Sequence, residues 1–240
     1  MKKYNTKYWA KRSSQYNQTN WVKNEKLIDV FLNMLPQKAF NNILEIGIGT
    51  GAVAEVVAKK IGPLIGIDIS KEMIDKINNP LISNCVGDAH NLDFEVNWFD
   101  LIYMRNVIHY IESPEIVFSE IYKCLKPGGY FLFSQVIPPS DLISNEYDWL
   151  IGRDIHYPTK NEIFNWLNLF SVKGDNEFIL KRQSIMNWLN NTCEDQFKKE
   201  QILDRHRCSS DKYKSLVNYY EDKNDILVDI KHLMILLKKD

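Results

Sequence analysis

Four cysteines in 240 residues, none spaced as C-x-x-C, leave this chain without a disulfide framework or a zinc knuckle. Cys85, Cys124, Cys193 and Cys208 instead read as reduced, mostly structural thiols, which predicts a cytoplasmic location. Charge of one sign is also missing: the formal net charge is −1, so no global basic field exists to hold a polyphosphate, and nucleic acid is not the expected partner. No apolar run is long enough to span a bilayer, and the charged N-terminus lacks a signal-peptide core, so no membrane partner is expected. No Cys/His constellation has metal-ligand spacing, so no metal is expected. Internal repeats and low-complexity stretches are absent too. What remains is 45% hydrophobic, enough for one domain with a sizeable core.

Within that chain one segment is distinctive. Leu44-Glu45-Ile46-Gly47-Ile48-Gly49-Thr50-Gly51 closes an apolar run that starts at Ile43 and leads directly into a helical pattern. An acid followed by glycine at every second position marks a strand-to-helix turn lying against a nucleotide-like ligand. Glycine tolerates positive φ there and has no Cβ to hold a ligand away. Gly47-x-Gly49-x-x-Ala52 also satisfies the dinucleotide fingerprint, so the glycine loop by itself leaves the cofactor open. Two further strands end in acids: Leu64-Ile65-Gly66-Ile67-Asp68, where a carboxylate could take ribose hydroxyls, and Cys85-Val86-Gly87-Asp88-Ala89.

The rest of the chain alternates. Helical spacing predicts a helix over 21–35, ended by Pro36, and one over 51–60. A helix over 70–78 capped by Ser70 and one over 114–124 follow. Strands are predicted over 43–46, 64–68, 82–86, 98–104 and 130–136, the last entered through Lys126-Pro127-Gly128-Gly129. This alternation implies a mostly parallel sheet covered on both faces. Beyond Pro138-Pro139 come a helix over 141–151, a helix begun by Thr159 with Glu162 at the capping-box position, and a strand over 172–182. Helical pattern then runs from Ser184 to Tyr220, and a long strand covers 226–237.

The ordered set of motifs, over roughly residues 4–136, resembles the class I S-adenosylmethionine-dependent methyltransferases, in particular their small-molecule, type 11-like branch. The resemblance implies a Rossmann-like, doubly wound, mostly parallel seven-stranded sheet. Its last strand runs antiparallel between the fifth and sixth, and a helical insertion lies near the C-terminus. It implies a single domain over 1–240: an N-terminal cap over about 1–36, a core over about 37–136, an acceptor-side region and helical lid over about 137–222, and a final strand over about 226–238.

The implied cofactor is S-adenosyl-L-methionine, leaving S-adenosyl-L-homocysteine as product. Gly47, Gly49 and Gly51 would let backbone approach it, and Glu45 would hold the methionyl amino group. Asp68 would hold the ribose, Ile69 and Met73 would flank the adenine, and Asp88 with Ala89 would meet its edge. The Arg105 backbone would contact the methionine part, and Tyr16, from an aromatic N-terminus that also carries Tyr8-Trp9, would fold over the cofactor. An aromatic face beside a sulfonium gains about 1 kcal/mol.

On the acceptor side the resemblance points to Asn106, Arg153, His156, Tyr157 and Trp188, with His109 as a candidate general base. Each has a plainer reading. Glu45, Asp68 and Asp88 could be turn or cap carboxylates; Ile69, Met73, Tyr16 and His109 could simply pack; Arg105 and Arg153 could be solvated or ion-paired.

No Asn/Asp-Pro-Pro-aromatic motif follows the fourth strand and no Pro-Cys occurs, which disfavours the nucleobase-methylating DNA enzymes. The expected activity is methyl transfer to oxygen or nitrogen of a small metabolite, with Arg153 placed to hold a carboxylate if the acceptor bears one. A nicotinamide-dependent oxidoreductase, a transferase using a modified donor, and a non-catalytic cofactor-binding partner stay open as alternatives. Oligomeric state is not legible.

Overall fold

The computed structural model describes residues 6–13, 24–153, 155–223 and 225–240. Eight strands form one sheet: β1 (Ile43–Ile46), β2 (Leu64–Asp68), β3 (Ile82–Val86), β4 (Phe99–Arg105), β5 (Leu125–Val136), β6 (Ser171–Ser184), β7 (Tyr220–Asp222) and β8 (Asp225–Lys238). Their order is β3-β2-β1-β4-β5-β8-β6, with short β7 paired to β8 off this path. The first five pair in parallel, and β8 runs antiparallel between β5 and β6. This is the expected doubly wound, seven-stranded arrangement with β7 added.

Ten helices are present among the described residues: α1 (Thr6–Arg12), α2 (Glu25–Leu32), α3 (Ala54–Ile61), α4 (Lys71–Ile74), α5 (Pro114–Cys124), α6 (Ser144–Ile151), α7 (Lys160–Trp166), α8 (Ile185–Thr192), α9 (Gln196–Arg207) and α10 (Asp211–Leu216). Strands covered on both faces can be apolar throughout; β1 is accordingly buried at every residue. On β8, Leu233, Ile235 and Leu237 enter one core layer while Met234 and Leu236 enter the other, the period-two alternation of a central strand.

Local chemistry sets the helix ends. Asn24 starts α2 by accepting from the Leu27 amide at 2.9 Å, later than the predicted Trp21; residues 21–23 are outside the described set. Ser70 caps α4, which lasts only from Lys71 to Ile74 rather than to 78. The chain there tightens into i→i+3 bonds, Lys76 N to Met73 O and Ile77 N to Ile74 O, before Pro80. At α7 both halves of the Thr159–Glu162 capping box are made.

The segment between β6 and β8 holds α8, α9, α10 and β7. It builds a third core, in which Ile185, Leu189, Ile202 and Tyr213 pack with Leu150 of α6 and with Ile143 just before it. Among the described residues no helix is long and apolar enough to cross a membrane.

Candidate functional site

Parallel α/β sheets open a crevice beyond the carboxyl ends of their strands, where neighbouring connections diverge. Here that crevice lies against β1, β2 and β4, and is lined by Gly47, Gly49, Asp68, Ile69, Met73, Asp88, Ala89, Arg105 and Asn106 among others. The glycine loop is held from below: the amides of Gly47 and Ile48 both donate to the Ile67 carbonyl, at 2.9 and 3.0 Å. Gly47 has φ +74°, and a Cβ there would lie 2.3 Å from Val107 Cγ2. Close approach of the loop after β4, as well as any ligand, therefore requires glycine at this position.

Asp68 fixes the same loop. Its Oδ2 accepts from the Gly49 amide and its Oδ1 from the Ser70 amide, both at 2.9 Å. Burial pushes its carboxyl up from the ordinary value, and the amides of Ser70, Gly49 and Ile69 pull it back. An ionised carboxylate offers about four acceptor positions, so acceptor capacity remains toward the crevice it lines. Asp88 also has a turn role: Oδ1 accepts from the His90 amide at 2.9 Å and meets His90 Nδ1 at 2.7 Å.

Other expected residues sit elsewhere. Gly51 does not line the crevice; its φ of +76° and the approach of Ile77, 3.0 Å from where a Cβ would sit, explain that glycine. Glu45 is 3% exposed and lies beneath the crevice rather than in its wall. Its Oε2 accepts from the Tyr103 hydroxyl at 2.7 Å, and burial pushes its carboxyl up to about 8 despite the nearby Arg105 charge. Asn106 reaches the crevice but adopts φ +55°. Its Oδ1 accepts from the Val136 amide at 3.0 Å, clamping the exit of β4 to the end of β5. Tyr16 lies outside the described residues.

The aromatic covering comes instead from Trp9 on α1 and Tyr110 after β4, packed edge-on with centroids 4.8 Å apart; both line the crevice. The Tyr8-Trp9 doublet carried that signal in the sequence. Further lining residues, among them His90, Val107 and Ile111, were not anticipated. They continue the two loops already carrying Asp88 and Arg105, and that continuity was the available clue.

Beside this mouth two guanidinium groups converge on one phenol. Arg12 Nη1 donates to the Tyr8 hydroxyl at 3.0 Å, and Arg153 Nη2 donates to the same oxygen. Arg153 also reaches Tyr110 Oη and the Thr192 carbonyl, both at 3.4 Å, and lies 5.4 Å from the Trp188 ring centre. Next to it His109 stacks on Tyr157 at 4.6 Å, and Gln135 Nε2 donates to His109 Nδ1 at 2.9 Å. Burial, aided by the Arg153 and Arg12 charges, depresses His109 to about 3, so its imidazole is neutral and a weak base.

His156 is not brought to this place. It bonds Asp148 at 2.7 Å and Glu162 at 3.0 Å on the outer surface, and both carboxylates raise its pKa against burial. Nor does the insertion roof the crevice: no residue of 184–222 lines it, although Trp188 and Thr192 support Arg153 from behind. Among the described residues no group of three or more His, Cys, Asp or Glu is placed to hold a metal ion.

Comparison with known proteins agrees with this architecture. Residues 44–133 match the family described as methyltransferase domain. Phosphoethanolamine N-methyltransferase 2 of Caenorhabditis elegans is 34% identical over 119 residues, covering 46% of this chain and 26% of that protein. The malonyl-[acyl-carrier protein] O-methyltransferase of Haemophilus ducreyi is 32% identical over 155 residues, covering 60% of this chain and 58% of the relative. The chain thus spans well under two thirds of either relative's length. The solved structure of the YcgJ protein from Bacillus subtilis superposes with a TM-score of 0.77 at 19% identity, covering 90% of this chain and 99% of that one. Strand order, glycine loop, strand-end acids and the methyltransferase-domain match over residues 44–133 together agree with the fold of the class I S-adenosylmethionine-dependent methyltransferases.

Proposed function

We propose that this chain transfers a methyl group from S-adenosylmethionine to a small, anionic acceptor at the mouth formed by Trp9, Tyr110 and Arg153. The observation that carries the reading is one crevice gathering the Gly47–Gly49 backbone, the Asp68 carboxylate, the apolar Ile69 and Met73, and the Asp88–Ala89 turn. These groups fit the cofactor. Asp68 would accept from the ribose hydroxyls, Ile69 and Met73 would flank the adenine, and Ala89 would meet its edge. The cofactor, when bound, supplies a methyl group on a sulfonium that leaves by in-line displacement.

The protein's part is to align the acceptor and exclude water, and no dedicated catalytic side chain is required. Trp9 and Tyr110 close the crevice from the acceptor side. Arg12 and Arg153, meeting at Tyr8, favour a carboxylate or phosphate there. The relatives' names carry such groups: phosphoethanolamine in one, malonyl in the other. His109, neutral and weakly basic, orients rather than deprotonates.

The test is a thermal-shift comparison followed by a methyl-transfer assay. S-adenosylhomocysteine should raise the melting temperature and NAD or NADP should not, because only a ligand of the native state stabilises it. A shift with a nicotinamide dinucleotide alone would favour the oxidoreductase reading. Binding without transfer to any anionic acceptor tried would favour a non-catalytic partner.

A further inference from the structure

Beyond the crevice lies a second, smaller cavity of about 60 Å³ between β8, α6 and the helices of the insertion. It shares no lining residue with the crevice. Tyr157 and Trp188 form the partition: both line the second cavity, while Tyr157 stacks on His109 and Trp188 lies under Arg153. Most of the wall is apolar, with Ile151, Ile185, Val228 and Ile230 among its members. Packed protein cores leave few voids larger than a water molecule, and this one is a defined, mostly apolar space with polar groups at its wall.

Its polar lining residues include Tyr147 and Tyr157; Asp229 and Ser184 are engaged within the protein. Asp229, at the rim, accepts from the Arg182 amide at 2.9 Å and from Asn218 Nδ2 at 2.8 Å; Ser184 Oγ donates to Asp225. His206 differs in being buried and unsatisfied at once. It lines the cavity, is 3% exposed, and its Nε2 is buried with no hydrogen-bond partner. Its other nitrogen is fixed: Nδ1 lies 3.1 Å from the Tyr213 hydroxyl. Burial keeps the ring neutral, its pKa depressed to about 4. A phenol is a much stronger acid than a neutral imidazole N–H, so the Tyr213 hydroxyl donates to Nδ1 and the ring proton sits on Nε2. The cavity wall, mostly apolar, therefore contains a buried N–H donor without a partner, alongside Tyr147 and Tyr157. A buried donor left without an acceptor costs free energy, and small-molecule sites pair apolar walls with a few such placed polar groups.

We propose that this cavity is a second small-molecule site, taking a neutral, largely apolar molecule that presents one hydrogen-bond-accepting oxygen to His206 Nε2. Charged ligands are selected against, because no counter-charge is available: Asp229 is already engaged, and Arg153 faces the other side of Trp188. An occupant would press on the backs of Tyr157 and Trp188, and so adjoin the acceptor mouth without entering it.

The test uses the full chain and 6-propionyl-2-(dimethylamino)naphthalene, a neutral, polarity-sensitive fluorophore with one carbonyl. Wild-type protein should bind it saturably and one-to-one with a blue-shifted emission. His206→Phe, which keeps the ring and removes the N–H, should weaken binding at least tenfold. Val228→Trp should abolish binding by filling the space, and Val136→Phe does the same from another strand if the first variant does not fold. Cooperative unfolding by circular dichroism certifies each variant. Excess S-adenosylhomocysteine should leave the probe bound, so a failure of the methyltransferase reading and a failure of this one register separately. Absence of saturable binding, indifference to both His206→Phe and the filling variants, or displacement by S-adenosylhomocysteine would each overturn the proposal.

Discussion

Replacing Glu45 with glutamine isolates the buried carboxyl beneath the glycine loop. The residue sits on β1 beside Tyr103 of β4, is 3% exposed, and has its carboxyl pushed from 4.5 to about 8 by burial. A difference of that size between folded and unfolded chain is worth about 5 kcal/mol at most, and relaxation of the surroundings lowers the realised figure to about 2–5 kcal/mol. The sign follows from which state holds the proton. The folded chain keeps it to higher pH, so this contribution to stability is complete below 4.5 and is lost as pH rises to about 8. Glu45→Gln preserves the shape and an acceptor for the Tyr103 hydroxyl, and cannot ionise. Urea unfolding at a series of pH values should then give near-equal stability for the two proteins at about pH 4.5 and a progressive gain for the glutamine variant toward about pH 9. Taking the difference between the proteins cancels the titration of every other group. A constant difference across pH would refute the reasoning. If Glu45 instead acts as a direct ligand of the methionyl amino group, the variant will lose S-adenosylhomocysteine affinity at every pH with no such gain.

Asp68→Asn sets an amide NH₂ against either the Gly49 or the Ser70 N–H, and should cost about 1.5–3 kcal/mol of S-adenosylhomocysteine affinity, checked by calorimetry on folded protein; unchanged affinity would make the carboxylate purely structural. His109→Gln should lower the melting temperature but leave turnover per folded molecule within a few-fold, whereas a true general base would lose about a hundredfold. Gly47→Ala should destabilise by about 2–4 kcal/mol from the left-handed backbone and the Val107 clash together, and Val107→Ala should recover the clash portion in a double-mutant cycle. His232, fully buried and depressed to about 3, supports the fold above 6.5 and withdraws that support as pH falls toward 3. His232→Leu should therefore lose less stability than wild type between about pH 7 and pH 4, as read by urea midpoints.

What the sequence determined by itself was whatever local periodicity and turn chemistry encode. Predicted β1, β2 and β3 have the observed bounds, and α5 runs from Pro114 to Cys124 as read, because short apolar runs bounded by Gly, Asn and Pro leave few alternatives. The strand-end acids were legible for the same reason: Asp68 closes β2 and Asp88 follows β3 by two residues, and the sheet's parallel order then carries both to one crevice. Tertiary structure decided the rest. No local signal says that Gly51 answers to Ile77 or that Glu45 lies under the loop with Tyr103, since those neighbours come from other elements. Nor does helical spacing reveal that 184–222 packs on α6 and encloses its own cavity instead of covering the crevice. An amphipathic helix specifies that one face will be buried, and only the assembled chain specifies against what.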